Sequence, residues 1–283
     1  MFSPYYAAAR RRTLPDPMNH SAFNVVLSGR ARRWCMTERP RAGVRADDGL
    51  LQIGPSSLRW DGAAYRFELR ERCCPLPYAV RGSVRVQPQV QPGVSYALDR
   101  AGQHWWTPLA PRARVEVALS APAQRWSGEA YLDSNRGARP LESDFRGWQW
   151  SRAATRGGTA VYYEPDHRLD PDWPLSLEFS QGAQPRSIAL PARCPLATSP
   201  WGIRAHARSE LPAAVHLLER MVDAPFYTRS LLRTQLAGQP VTTVHESLDL
   251  DRFRRRWVQW LLPFRMPRGG SRQRAEPSAA AGG

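Results

Sequence analysis

Apolar residues recur at every second position, in runs too short for helices. The pattern holds in Tyr65-x-Phe67-x-Leu69, Val84-x-Val86, Val115-x-Val117-x-Leu119, Trp148-x-Trp150 and Leu175-x-Leu177-x-Phe179. Alternate residues of an extended chain share a face, so these runs read as strands. Gln91-Pro92-Gly93, Arg156-Gly157-Gly158 and Gly182 punctuate them, which makes the strands short and the turns frequent. With 26 prolines and little helical spacing, the expected fold is all-β, a sandwich or a barrel. Towards the C-terminus, "FYTRSLLRTQL" and "VTTVHESLDL" flank "AGQP" and read as a hairpin, while Leu217, Leu218 and Met221 have a spacing that suits one helix. The stretch after Pro267, "RGGSRQRAEPSAAAGG", has no apolar pattern and is expected to be a disordered tail over 269–283.

Charge narrows the partners. The formal net charge is +15, yet the chain has no lysine and its arginines are spread out, clustering only at Arg10–Arg12, Arg30–Arg33 and Arg254–Arg256. A solvated basic surface is the leading reading of this charge, and attraction to anionic lipid is the alternative. The usual nucleic-acid modules are missing, so no nucleic acid is expected. Cys35, Cys73, Cys74 and Cys194 lack metal-ligand spacing, so no metal is expected and a reducing compartment is. Apolar runs are too short to span a bilayer. There is no phosphate loop, G-x-S-x-G, H-E-x-x-H or dinucleotide fingerprint, so no cofactor is expected either.

The stretch "GQHWWTPL" at 102–109 raises the question of chemistry. Strand parity puts His104 and Trp106 on one face and Trp105 on the other. In "EAYLDSNRG" the same parity pairs Tyr131 with Asp133. Two aromatic-plus-polar couples are the material of a small-ligand cavity in a β fold. Packing by the aromatics, and a turn opened by Asp133 ahead of Ser134-Asn135-Arg136-Gly137, explain the same residues without catalysis.

Taken as strings, "FSPYYAAARRR", "RRWCMTERPR", "LQIGPSSLRW", "HWWTPLAPRARVEV", "YLDSNRGARPLE", "WQWSRA", "PFYTRSLL", "VHESLDLDRF" and "WVQWLLPFRMPR" resemble the carotenoid 1,2-hydratases of phototrophic bacteria, from Phe2 to Arg268 and in family order. The resemblance implies two lipocalin-like antiparallel β-barrel halves in tandem with few helices, divided here as 1–155 and 156–268. It also implies a further segment of the first half upstream of Met1. The implied activity is cofactor-independent addition of water to the terminal C1=C2 bond of acyclic carotenoids such as neurosporene and lycopene. The family's His-x-Trp and Tyr-x-Asp fall on His104, Trp106, Tyr131 and Asp133, the residues that parity had paired.

That chemistry needs a proton at C2, a tertiary cation at C1, then water and a base. Asp133, held neutral, is the expected proton donor, with His104 positioning water and accepting its proton; their roles could be exchanged. Trp106 and Tyr131 would face the cation. The implied partners are an acyclic carotenoid, water and membrane lipid. The implied location is cytoplasmic, peripheral to the inner or photosynthetic membrane, with "WVQWLLPFRMPR" as either an interfacial segment or a closing element. A non-catalytic lipocalin-like binder of an apolar ligand and a carbohydrate-active β protein are the alternatives.

Overall fold

The computed structural model describes residues 2–269 except 172 and 183. The chain opens with helix α1 (Pro4–Ala9) and a hairpin of β1 (Asn24–Leu27) and β2 (Arg33–Met36). The first large sheet follows: β3 (Val44–Asp47), β4 (Leu50–Ile53), β5 (Ser56–Trp60), β6 (Tyr65–Arg72), β7 (Ala79–Val90), β8 (Tyr96–Ala97), β9 (His104–Ala121) and β10 (Ala123–Gly137). Its order is β10-β9-β7-β6-β5-β4-β3, with β8 alongside β9.

After α2 (Leu141–Asp144) the chain enters a second sheet with β11 (Phe145–Thr155), β12 (Gly158–His167), β13 (Leu175–Phe179) and β14 (Arg186–Ser187). A small pair, β15 (Ala192–Pro195) and β16 (His206–Ser209), intervenes. The sheet is then completed by β17 (His216–Ala224), β18 (Tyr227–Leu236) and β19 (Gln239–Asp249), in the order β14-β13-β12-β11-β19-β18-β17. Helices α3 (Leu250–Phe253) and α4 (Arg256–Arg265) end the described chain. The fold is all-β and antiparallel with few helices, as the alternation predicts. Among the described residues no helix is long and apolar enough to cross a membrane.

The sheets change over between Gly137 and Phe145. A division at Thr155 would part β11 from β12, which are hydrogen-bonded neighbours paired residue by residue from Gly147 to Thr155. The expected tail lies outside the described residues from 270 on, whereas Gly269 donates its backbone N–H to the Glu38 carbonyl. Glu38 is fully buried and its carboxylate accepts from Ser3, His20 and Arg268. One carboxylate thus ties both ends of the described chain to the body of the protein.

The largest apolar core lies between the sheets. Leu98, in the loop after β8, and Trp106 of β9 pack with Phe145, Trp150, Val161, Tyr163, Leu177 and Phe179 from the second sheet. A separate core, with Leu69, Val80, Val115 and Leu119, belongs to the first sheet.

The hairpin expected at "AGQP" is present, with Ala237 and Gly238 as its two-residue loop at φ 51° and 68°. Positive φ at both positions marks a type I′ turn, whose twist matches that of the strands. The segment of Leu217, Leu218 and Met221, whose spacing also suits a helix, is β17. Its register against β18 shifts between Leu217 and Glu219 and between Arg220 and Val222. These bulges break the alternation, so the strand's apolar spacing imitates a helix.

Candidate active site

The central strand of the site is β9. Pro108 and Pro111 interrupt it and, lacking N–H groups, cannot donate to the ladder. The pairing of β9 with β10 shifts twice here, Ala130 facing Ala113, Leu132 facing Ala110 and Ser134 facing Thr107. Tyr131 and Asp133 lie within these two irregularities. Bulges re-aim side chains, and both turn towards the second sheet. Asp133 Oδ2 accepts the indole N–H of Trp106 at 2.7 Å and the hydroxyl of Tyr131 at 3.0 Å. With two donors on Oδ2, the proton of the neutral acid belongs on Oδ1.

Parity holds at the two tryptophans. Trp106 is wholly buried and touches Tyr96, Tyr163 and Phe179 edge-on or tilted. Trp105 points away, donates to the Gly102 carbonyl at 2.7 Å and carries the Arg136 guanidinium on its ring.

The opposite wall is one row across four strands. Tyr163, Trp150, Glu246 and Arg229 stand directly opposite one another in β12, β11, β19 and β18. Trp148 and Arg152 lie two residues either side of Trp150 and share its face. Glu246 pairs with Arg229 at 2.6 Å, and the Arg229 Nε donates to the Tyr227 hydroxyl at 3.0 Å. The Tyr131 ring lies 5.2 Å from Trp150 and carries the Arg152 guanidinium at 5.4 Å. Between the two walls lies an open cavity of about 460 Å³ lined by Tyr131, Asp133, Trp148, Trp150, Tyr163 and Glu246 among others.

Burial pushes the Asp133 carboxyl above its ordinary range, the hydrogen bonds from Trp106 and Tyr131 oppose this, and the charge of Glu246 adds to the rise. Burial also raises Tyr131 and Tyr163 well above the usual phenol range. Their hydroxyls therefore stay protonated as donors. Burial lowers Arg152, with the charges around Tyr131 opposing the change.

Of the four predicted residues, Tyr131 and Asp133 line the cavity, Trp106 stands behind Asp133 as its hydrogen-bond donor without lining the cavity, and His104 does neither. It shares a face of β9 with Trp106 and is buried, yet it does not line the cavity. Its Nε2 is 2.8 Å from Asp144 Oδ2, and Asp144 also pairs with Arg139 at 3.0 Å. Its ring lies 4.8 Å from Phe145, and its Nδ1 sits so close to Gly137 that a Cβ there would come within 2.5 Å. His104 thus anchors the crossing from the first sheet to the second. Sequence reasoning missed Glu246, Arg229, Arg152 and Tyr163, all supplied by the second sheet; of that wall only Trp148-x-Trp150 had a local signal.

A family model described as carotenoid hydratase CrtC matches residues 1–275. The chain is similar to the acyclic carotenoid 1,2-hydratase of Thiocapsa roseopersicina, 48% identical over 95% of this chain and 67% of that protein. It is similar to the protein of the same name from Rubrivivax gelatinosus, 43% identical over the same shares. The Cereibacter sphaeroides protein of that name is 35% identical over 95% of each chain. With a family model matching nearly its whole length, the chain belongs to the CrtC carotenoid hydratase family.

Proposed function

We propose that this protein adds water across the terminal C1=C2 bond of acyclic carotenoids, without a cofactor, to give 1-hydroxy carotenoids. The observation that carries the reading is a carboxyl with a raised pKa, Asp133, held by Trp106 and Tyr131 at the wall of an aromatic cavity. Relatives over most of the chain carry the name of this activity.

In this mechanism Asp133 gives its Oδ1 proton to C2, and the electrons of the double bond form the new C–H bond. The tertiary cation left at C1 lies against indole and phenol faces, whose quadrupoles attract positive charge. The Trp106 N–H and Tyr131 O–H stabilise the carboxylate as it forms, and Arg152 offsets its charge. Water then bonds to C1 through oxygen and returns a proton to Asp133, so the acid is regenerated each turnover. Glu246, fixed by Arg229, adds negative potential beside the cation. His104 acts as a positioning residue, through Asp144 and the strand that carries Trp106. This reading replaces the expected His104 base with Asp133 itself.

The substrate dissolves in a bilayer, and α4 suits such a surface. Val258 and Met266 are buried and Leu262 packs on the main core, whereas Trp257, Trp260, Leu261 and Phe264 are exposed at i, i+3, i+4 and i+7. One face of α4 thus packs on the body of the protein, and the other presents exposed aromatic and aliphatic side chains. Arg254, Arg255 and Arg256 are exposed at its start, the combination that favours an anionic interface.

The test is incubation of the purified protein with lycopene in vesicles. The expected product is heavier by one water and carries label when the water is 18O-enriched. Folded protein that binds lycopene and leaves it unchanged supports a non-catalytic binder instead.

A further inference from the structure

The cavity at Asp133 is too small for the whole of the proposed substrate. Its 460 Å³ equal a cube about 8 Å on edge, whereas an acyclic carotenoid is a stiff conjugated rod on the length scale of a bilayer core, about 30 Å. The rest of the chain needs a place. Met221 of β17 lines this cavity and also a second one of about 470 Å³. The second cavity is walled by Val26 and Leu27 of β1, Leu76 and Tyr78 of the loop after β6, and Arg33. Arg33 lies over the Tyr78 ring at 4.5 Å. Its rim reaches Arg265 of α4, the helix whose exposed aromatic face was described above.

We propose that the second cavity is the polyene site: the reacting end lies at Asp133, the conjugated chain passes Met221, and the remainder lies in the second cavity beside α4. This inference rests on the hydratase reading and adds a substrate-binding subsite to it. The lining suits the occupant. Aliphatic side chains remove the polyene from water, Met221 adapts its shape at the neck, and guanidinium groups meet a π-electron surface favourably. Entry beside α4 also lets the substrate leave the lipid without crossing water.

Cys74 lines the second cavity but not the first, and it is partly exposed. Its alkylation by N-ethylmaleimide, read as the mass of the Cys74 peptide, reports occupancy without reference to turnover. In the intact protein, lycopene in micelles is expected to slow this alkylation at least tenfold relative to empty micelles. Geraniol, a short isoprenoid ending in the same dimethyl alkene, is expected to leave the rate unchanged. Alkylation unaffected by lycopene, or slowed equally by geraniol, overturns the proposal. In parallel, Leu27→Trp fills the second cavity, and the exposed Leu76→Arg serves if that variant misfolds. The expected effect is a tenfold rise in KM for lycopene with kcat and melting temperature kept. Unchanged KM in a folded variant also overturns it. Wild-type protein that hydrates lycopene while Cys74 stays unprotected defeats the polyene site alone, and wild-type protein with no hydration defeats the underlying function.

Discussion

At the scale of single residues, two neighbouring tryptophans of the same kind do different work. Trp106 Nε1 donates to Asp133, and Trp105 Nε1 donates to a backbone carbonyl on the other face. Trp106→Phe keeps most of the packing and removes one donor from the carboxylate. Burial raises the Asp133 value and the Trp106 bond lowers it, so loss of that bond raises it further. The acid must be protonated to act, and activity is lost as pH rises through its folded value. The high-pH fall in rate is therefore expected to move to higher pH in Trp106→Phe, while the rate at neutral pH drops roughly tenfold as charge-assisted stabilisation is lost. Trp105→Phe is expected to leave both unchanged. Rate–pH profiles of the two variants check this, and a shift in Trp105→Phe instead would refute the assignment of faces. Parity along Tyr131 and Asp133 was legible for the same local reason. His104 was legible as a face-mate of Trp106, but sharing a face is not sharing a partner: Trp106 donates to Asp133, whereas His104 is held by Asp144.

At the scale of elements, turns and bulges decide what local pattern can reveal. The Ala237-Gly238 turn was readable from its flanking strands, yet it places an alanine at φ 51°, a conformation that costs a residue with a Cβ roughly 1–2 kcal/mol. The Glu210 carboxylate accepts both loop amides, at 2.7 and 2.9 Å, which holds the turn despite that cost. Ala237→Asn, better suited to this conformation, is expected to stabilise the protein by about 0.5–1 kcal/mol. A melting temperature that does not rise would show that Glu210 already removes the strain. In β17 the shifted register leaves no alternation to detect, so the spacing of Leu217, Leu218 and Met221 suits a helix as well as a strand. The row of Tyr163, Trp150, Glu246 and Arg229 joins two hairpins through the pairing of β11 with β19, which sets Trp150 opposite Glu246, 96 residues later in the sequence. No local period encodes such a row.

At the scale of the whole molecule, the cavity belongs to neither half alone. The first sheet supplies the acid and the second supplies the aromatic and charged wall. The all-β class followed from alternation, whereas a site formed between sheets could not be read from either one. The outward aromatic face of α4 is likewise a property of the assembled protein, since burial of Val258 and Met266 fixes which side faces out. The double change Trp260→Asp and Phe264→Asp is expected to reduce flotation with anionic vesicles at least tenfold. Hydration of detergent-dispersed lycopene should persist. Equal flotation of wild type and variant would remove α4 from the membrane contact.

The claim that Asp133 supplies the proton is tested most directly by comparing wild type with Asp133→Asn on lycopene, measuring hydration rate and binding side by side. An amide fills the same space and can still accept from Trp106 and Tyr131, but it has no carboxylic proton to give. The account predicts that lycopene binding stays within a few-fold of wild type while hydration falls by about 10²–10⁴-fold. Turnover by Asp133→Asn within a few-fold of wild type would contradict it.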